Sequence, residues 1–217
     1  QRQMCIRDRE NADLSIVTLE TLAAGREKGY GNYNTTPQIL DALRAVGVNF
    51  VSLATERALD KGYDGLDITA SELTSRSIGF AGVYPDGTNT GAAMANIDGV
   101  QVAVLAYTYG LSDEGRERTR NDSRGVVAMM DSQRVVRDIT QARVDGANIV
   151  VVLPHWGTKN RAQTPDTVQT MAREMAQAGA DVIFGTHPNV AQGIERLQTV
   201  RSCLLYTSPS PRDTERS

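Results

Sequence analysis

The sequence has few cysteines, few aromatic residues and no long apolar run. Its 217 residues include only two cysteines, Cys5 and Cys203, and both lie near the chain ends, so the interior has neither a disulfide nor a thiol nucleophile. Aromatic residues make up 5% of the chain, and no apolar run approaches the ~18–20 residues of a membrane-spanning helix. The net charge is -3, which gives no basic face for a nucleic-acid partner.

Both ends of the chain differ in pattern from its interior. Residues 1–9 and 202–217 show no hydrophobic period, and both strings resemble translated adapter sequence at the ends of metagenomic fragments. They are therefore predicted to be non-native tails and are set aside before the fold is considered. Residues 10–201 are then predicted to form one domain, because 40% hydrophobic and 23% charged residues are typical of a globular chain of this length.

Strand and helix patterns alternate within this domain. A helix is predicted after Thr36-Pro37 and another after Thr164-Pro165, with the threonine as cap. Asp98-Gly99 predicts the tight turn of a β-hairpin, whereas the polar residues 110–125 are expected to form a mobile loop. The alternation indicates an α/β fold with a mixed, largely parallel sheet and helices outside it. Strands are predicted at residues 14–19, 48–53, 78–83, 94–97, 100–107, 149–153 and 181–184, and further helices at 64–76 and 131–145.

The two histidines of the chain both follow predicted strands. His155 comes after residues 149–153 and His187 after residues 181–184, and one strand–helix–strand unit joins them. Their loops should therefore be neighbours at the carboxyl edge of the sheet, where ligands collect in α/β proteins. Glu20 and Glu56 follow earlier strands in the same way.

Imidazoles and carboxylates on separate loops are ligands that suit Zn, Mn or Fe. They predict a metal site at this edge. A different interpretation is an unrelated α/β domain with structural histidines, which a sheet that places the two far apart would support. Trp156, Tyr107 and Tyr109 are interpreted as packing residues.

Several motifs resemble those of one family. They are Leu19-Glu20-Thr21, the stretch from Ser52-Leu53-Ala54 to Leu59-Asp60-Lys61-Gly62, Pro154-His155-Trp156-Gly157 and Gly185-Thr186-His187-Pro188-Asn189-Val190. In this order they resemble the bacterial capsule-synthesis (CapA-type) proteins linked to poly-γ-glutamate, over roughly residues 12–196. The resemblance implies a four-layer α/β/β/α sandwich of the calcineurin-like metallophosphatase superfamily. The family's first strand, with its Gly-Asp motif, is missing from this sequence, which is expected of a truncated fragment.

The resemblance also implies a metal site that is partly changed. Glu20, Glu56, His155 and His187 stand at the ligand positions of one metal, with Glu56 in place of the family's asparagine. Asn189 stands where a histidine of the second metal's ligand set is usual. One divalent ion (Mn, Zn or Fe) is therefore expected rather than two. The geometric prediction is that Glu20, Glu56, His155 and His187 together bind a single cation.

Arg57 and Asp60 are the predicted catalytic residues. Arg57 stands where the family has a histidine beside the asparagine. Its guanidinium stabilises an anion but donates no proton, because its pKa exceeds ~12. Weak hydrolysis is expected as a result. In an alternative arrangement Arg57 fills the metal position and pairs with Glu20 or Asp60, which makes a metal-free anion pocket.

The resemblance implies a function in poly-γ-glutamate capsule biosynthesis at the cell envelope or extracellular face. The expected activity is that of a metal-dependent, phosphoesterase-like hydrolase that acts on a phosphoester or an anionic polymer, with membrane or envelope machinery as a partner. The alternative is a non-catalytic, envelope-associated module that binds a polyanion or serves as a scaffold.

Overall fold

The computed structural model describes residues 12–25, 33–88, 91–197 and 203–207. The chain divides into two compact units, the first made of residues 1–90 and 110–128, the second of residues 91–109 and 129–217. Residues 1–9 lie outside the described part. Of residues 202–217, the backbone of 203–207 is described as a strand. The assignment of both ends as non-native tails stays a prediction.

The first unit contains a small parallel sheet. Its strands are β1 (Ile16–Thr18), β2 (Phe50–Ser52) and β3 (Gly79–Ala81), paired in the order β1-β2-β3. All three fall within predicted strands. Both pairs are parallel, so the segments that follow the strands leave from the same edge of this sheet.

The described residues of the first unit form three helices: α1 (Gln38–Ala45), α2 (Gly62–Ser75) and α3 (Asp113–Thr119). Helix α1 ends before Gly47, whose φ of +84° is accessible to glycine at little cost. In α2, which matches the helix predicted at residues 64–76, Leu66, Thr69 and Leu73 lie on one face and are all buried.

Helix α3 corrects the prediction of a mobile loop at residues 110–125. Ser112 occupies the N-cap position and its side chain accepts a hydrogen bond from the Gly115 amide. Asp113 and Glu114 lie in the first turn, where carboxylates are favourable near the helix N-terminus. Only a few positions, among them Gly115 and Thr119, are buried. The apolar period that signals a helix is therefore absent from this stretch, and a cap initiates the helix instead.

The second unit contains a six-stranded mixed sheet. Its strands are β4 (Ala93–Ile97), β5 (Val100–Thr108), β6 (Ile149–His155), β7 (Val182–Gly185), β8 (Glu195–Leu197) and β9 (Cys203–Thr207). Their order in the sheet is β4-β5-β6-β7-β9-β8. Strands β5, β6, β7 and β9 run parallel, while β4 pairs antiparallel with β5 and β8 pairs antiparallel with β9. Helix α4 (Ser132–Val144) connects β5 to β6, and helix α5 (Asp166–Ala178) connects β6 to β7.

The local signals at turns and helix ends are largely confirmed. Asp98 and Gly99 have φ values of +50° and +87°, as the predicted hairpin turn requires. The predicted threonine caps are wrong by one residue, because Pro37 and Pro165 occupy the N-cap positions of α1 and α5 and make no side-chain cap. Strand β6 extends two residues past its predicted end and so includes His155, which pairs in register with Thr108 of β5.

Parallel strands linked by helices confirm the mixed α/β class in both units. Within the described residues, no helix combines the length and the apolar character needed to cross a membrane.

Candidate functional site: a buried histidine pair

The two histidines of the chain lie side by side in the second unit. His187 Nδ1 is 3.2 Å from His155 Nε2, and the ring centroids are 4.8 Å apart in an edge-on arrangement. Both side chains are buried, with 1% exposure for His155 and 6% for His187. The prediction that their loops are neighbours is therefore confirmed, and the wide separation that would have supported an unrelated domain is not observed.

The sheet brings these rings together. His155 is the last residue of β6, and His187 follows β7, its parallel neighbour, by two residues. The Thr186 amide donates to the Pro154 carbonyl at 2.9 Å, and the Trp156 amide donates to the Thr186 carbonyl at 3.1 Å. These bonds continue the β6–β7 pairing past the end of β7 and fix the spacing of the two histidine backbones.

The backbone at His187 is in a conformation that L-amino acids rarely adopt. Its φ is +98°, which costs about 1–3 kcal/mol at a non-glycine residue. The loop is held there by a 2.7 Å hydrogen bond from the Asn160 amide to the Pro188 carbonyl. Asn189, also at positive φ, is half-buried two residues further on, and its role as a metal ligand stays a prediction.

Two hydroxyl groups contact the outer nitrogens of the histidine pair. Thr186 Oγ1 is 3.0 Å from His155 Nδ1, and the Tyr109 hydroxyl is 3.3 Å from His187 Nε2. Tyr107 is fully buried, as predicted for a packing residue, whereas Tyr109 is 50% exposed although its ring lies against both histidine rings. The available signal was its position one residue beyond the end of β5, at the same sheet edge as His155.

Trp156 is 2% exposed, as a packing residue should be. Its indole Nε1 nevertheless has no hydrogen-bond partner within the part of the chain that the structure describes. A buried N–H without a partner is uncommon, and it lies on the residue next to His155.

The two facing nitrogens, His187 Nδ1 and His155 Nε2, are spaced as two ligands of one cation would be. Zn–N bonds of about 2.0–2.1 Å at a tetrahedral angle place two ligand nitrogens about 3.3 Å apart, close to the observed 3.2 Å. Complete zinc sites use three or four protein ligands. In residues 12–25, 33–88 and 91–197, no group of three or more His, Cys, Asp or Glu side chains is placed to hold a metal ion. The pair therefore fits a metal as part of a ligand set.

The first unit holds a separate charged cluster. Arg57 Nη1 donates to Asp60 Oδ2 at 3.2 Å, and Arg57 Nε is 3.6 Å from Glu56 Oε1. The guanidinium carbon lies 3.8 Å from the centroid of the Tyr33 ring, a cation–π distance. Asp60 is completely buried and also accepts a hydrogen bond from the Ser112 hydroxyl. The pairing with Asp60 is one of the two that the alternative arrangement allows, whereas the placement of Arg57 at a metal position stays a prediction.

Burial governs the electrostatics of this cluster. Burial raises the pKa of Asp60 above 3.8, and the hydrogen bond from Ser112 and the charge of Arg57 only partly oppose it. For Arg57, burial lowers the pKa, but the charges of Asp60, Tyr33 and Glu56 outweigh that effect and raise the pKa above its ordinary value. Arg57 thus stays a cation and cannot donate a proton.

The remaining predicted ligands follow the strands of the first unit. Glu20 is half-buried and comes two residues after β1. Glu56 is half-buried, and its carbonyl accepts a 2.8 Å hydrogen bond from the Ser112 amide. The sharing of one cation by Glu20, Glu56, His155 and His187 stays a prediction, as do the catalytic roles of Arg57 and Asp60.

Ser112→Ala is expected to lower the free energy of unfolding by about 2 kcal/mol. The change removes the cap of α3 and leaves Asp60 with one hydrogen bond fewer in a buried position. Urea denaturation measures the loss. Ser75→Ala is the matched control, because the Ser75 hydroxyl bonds an exposed helix carbonyl and its removal should leave the midpoint unchanged. Equal midpoints for the two variants would contradict the prediction.

Comparison with known proteins places these observations in a family. The model of the bacterial capsule synthesis protein family PGA_cap matches residues 7–207. The chain belongs to this family. The resemblance read from the sequence motifs is thereby confirmed.

Two curated relatives are similar to the chain over most of its length. The PGA biosynthesis protein CapA of Bacillus subtilis is 29% identical over 163 residues, which are 74% of this chain and 42% of the relative. The capsule biosynthesis protein CapA of Bacillus anthracis is 26% identical over 164 residues, 73% of this chain and 39% of the relative. The chain spans less than half the length of these two relatives.

Solved structures are similar in fold. The sulfate thiohydrolase SoxB of Thermus thermophilus aligns with a TM-score of 0.50 at 17% identity, over 79% of this chain and 30% of that protein. The calcineurin-like phosphoesterase YfkN of Bacillus subtilis aligns with a TM-score of 0.49 at 15% identity, over 80% of this chain and 58% of that one. The mixed α/β fold class predicted from the sequence is confirmed, and SoxB shares this fold. The assignment to the metallophosphatase superfamily stays a prediction.

Proposed function

We propose that this chain acts in the synthesis or export of a poly-γ-glutamate-type capsule polymer at the cell envelope, as a phosphoesterase-like protein with one divalent cation at the histidine pair. The names of the curated relatives support the capsule role. The observation that carries the chemistry is the buried contact between His187 Nδ1 and His155 Nε2.

A cation bound by the pair would act as a Lewis acid on an anionic oxygen of the substrate. The chain's own contribution is to hold two imidazoles in one orientation and to shield them from water, since both are almost fully buried. Arg57 supplies a permanent positive charge whose position is fixed by Asp60, Glu56 and Tyr33. Because Arg57 cannot protonate a leaving group, we propose slow hydrolysis.

Hydrolysis of an aryl phosphate with added Mn²⁺ tests this function. We expect slow, Mn²⁺-dependent turnover by the full chain and none by His155→Ala purified in the same way. A wild-type rate equal to that of His155→Ala would contradict a catalytic role.

A second function is a non-catalytic module that binds the anionic polymer. It is favoured by the absence, among the side chains that the structure describes, of a group of three metal ligands. Calorimetric titration with poly-γ-glutamate oligomers separates the two functions. Polymer binding without Mn²⁺-dependent turnover supports the module, whereas turnover supports the hydrolase.

A further inference from the structure

We propose that Tyr109 and Thr186 are positioning residues for the histidine pair. Their hydroxyls hold the outer ring nitrogens, His187 Nε2 and His155 Nδ1. The inner nitrogens, His187 Nδ1 and His155 Nε2, then face each other for one shared divalent cation. This inference rests on the proposed function, because it assumes that a cation binds at the pair.

Tyr109 contacts both imidazoles through its ring as well as its hydroxyl. Its ring is nearly parallel to that of His155, at 19° and 6.4 Å between centroids. It is tilted against His187 at 58° and 4.9 Å. The side chain thus lies against both histidines from one side, and its hydroxyl limits the rotation of the His187 ring.

Backbone hydrogen bonds fix the positions of the two residues that carry these hydroxyls, Tyr109 and Thr186. The Tyr109 amide donates to the His155 carbonyl at 3.1 Å, which extends the β5–β6 pairing by one step. The Thr186 amide is held by the Pro154 carbonyl, which extends the β6–β7 pairing. Because both positions are set by the sheet, the hydroxyls act as fixed partners. Such outer partners of metal-binding histidines set ring orientation and tautomer.

A hydroxyl group suits this position because it both donates and accepts. A neutral imidazole carries one N–H. For both inner nitrogens to offer lone pairs, the protons must be on His155 Nδ1 and His187 Nε2, and the Thr186 and Tyr109 hydroxyls must then accept. Without a cation, the 3.2 Å contact between the rings needs a proton on one inner nitrogen. In the ring that carries this proton, the outer nitrogen has no proton and accepts a hydrogen bond from its hydroxyl partner. The hydroxyls can therefore serve as hydrogen-bond partners both with and without the cation, and the backbone need not move.

Cation affinity provides the first test. Competition with a chromophoric chelator measures Zn²⁺ and Mn²⁺ dissociation constants for the full chain. Tyr109→Phe and Thr186→Val are each expected to weaken binding about 10–100-fold, the usual effect of losing an outer partner. Thr186→Ser keeps the hydroxyl and should bind as the wild type does. Tyr63→Phe is the matched control, because it removes a tyrosine hydroxyl that donates to a backbone carbonyl in the other unit.

The ring tautomers provide a second readout that needs no activity. The chain has two histidines, so nitrogen-15 spectra contain only two imidazole systems. With Zn²⁺ bound, we expect the proton on Nδ1 of His155 and on Nε2 of His187. Without metal, Tyr109→Phe should shift the His187 Nε2 resonance, while Tyr63→Phe should not.

The outcomes separate the two proposals. If the wild-type chain binds neither cation, the proposed function fails and this inference fails with it. If the wild type binds but Tyr109→Phe and Thr186→Val bind equally well, with unchanged ring tautomers, only the positioning role is overturned. Weaker binding together with shifted ring resonances supports the positioning role.

Discussion

His155→Ala and His187→Ala are each expected to weaken Zn²⁺ and Mn²⁺ binding by more than about 100-fold. The loss of an outer partner of a metal ligand already costs about 10–100-fold, and these changes remove one of the two facing nitrogens themselves. Competition with a chromophoric chelator measures the dissociation constants. Wild-type affinity in both variants would contradict a cation site at the pair.

His187→Gly separates the loss of a ligand from the loss of the fold. The φ of His187 is +98°, a region that glycine enters readily and alanine does not. The glycine variant should therefore be more stable to urea than the alanine variant, by about 1 kcal/mol, while both lose cation binding to the same degree. If His187→Ala lost cation binding and His187→Gly kept it, the loss in the alanine variant would be caused by unfolding and not by removal of a ligand.

Arg57→Met is expected to lower the free energy of unfolding by about 3 kcal/mol. The methionine keeps an apolar stem against Tyr33 but leaves the fully buried Asp60 carboxylate without its cation. Removal of one partner from a buried ion pair typically costs about 3–5 kcal/mol, and partial exposure of Arg57 places the expected loss at the lower end. Urea denaturation followed by circular dichroism measures it.

Two further variants make this result specific. Arg118→Met breaks an exposed pair with Glu114 on α3 and should cost less than about 0.5 kcal/mol. Arg57→Met combined with Asp60→Asn removes both charges, so much of the stability should return. Equal losses in Arg57→Met and in the double variant would show that the charge pair is not the cause.

The same carboxyl gives a pH dependence of a definite sign. The pKa of Asp60 is raised above 3.8 by burial, so the folded chain takes up a proton at a higher pH than the unfolded chain does. The contribution of Asp60 to the free energy of unfolding therefore increases as the pH falls through the raised pKa of the folded chain, and becomes constant below 3.8. Asp60→Asn should remove this component from the pH profile of unfolding. An identical profile in Asp60→Asn would contradict the assignment.

Local signals in the sequence predicted most elements of the fold. The Asp98-Gly99 turn and the helix at residues 64–76 follow from backbone preference and period alone, and both are confirmed. Helix α3 was missed because a serine cap and a few buried small residues initiate it, in place of an apolar stripe. Both histidines were expected just past neighbouring strands; His187 does follow β7, whereas β6 extends far enough to include His155.

The sequence by itself determined the α/β alternation, the family and the meeting of two histidines at one sheet edge, because strand and helix patterns are local and parallel strands joined by a helix end at the same edge of a sheet. Only the tertiary structure decided that Tyr109 and Thr186 contact the outer nitrogens, and that Arg57 is held by Asp60, Tyr33 and Glu56. Those contacts depend on register, ring orientation and burial. These are set by pairing between residues far apart in the chain, and no local period encodes them.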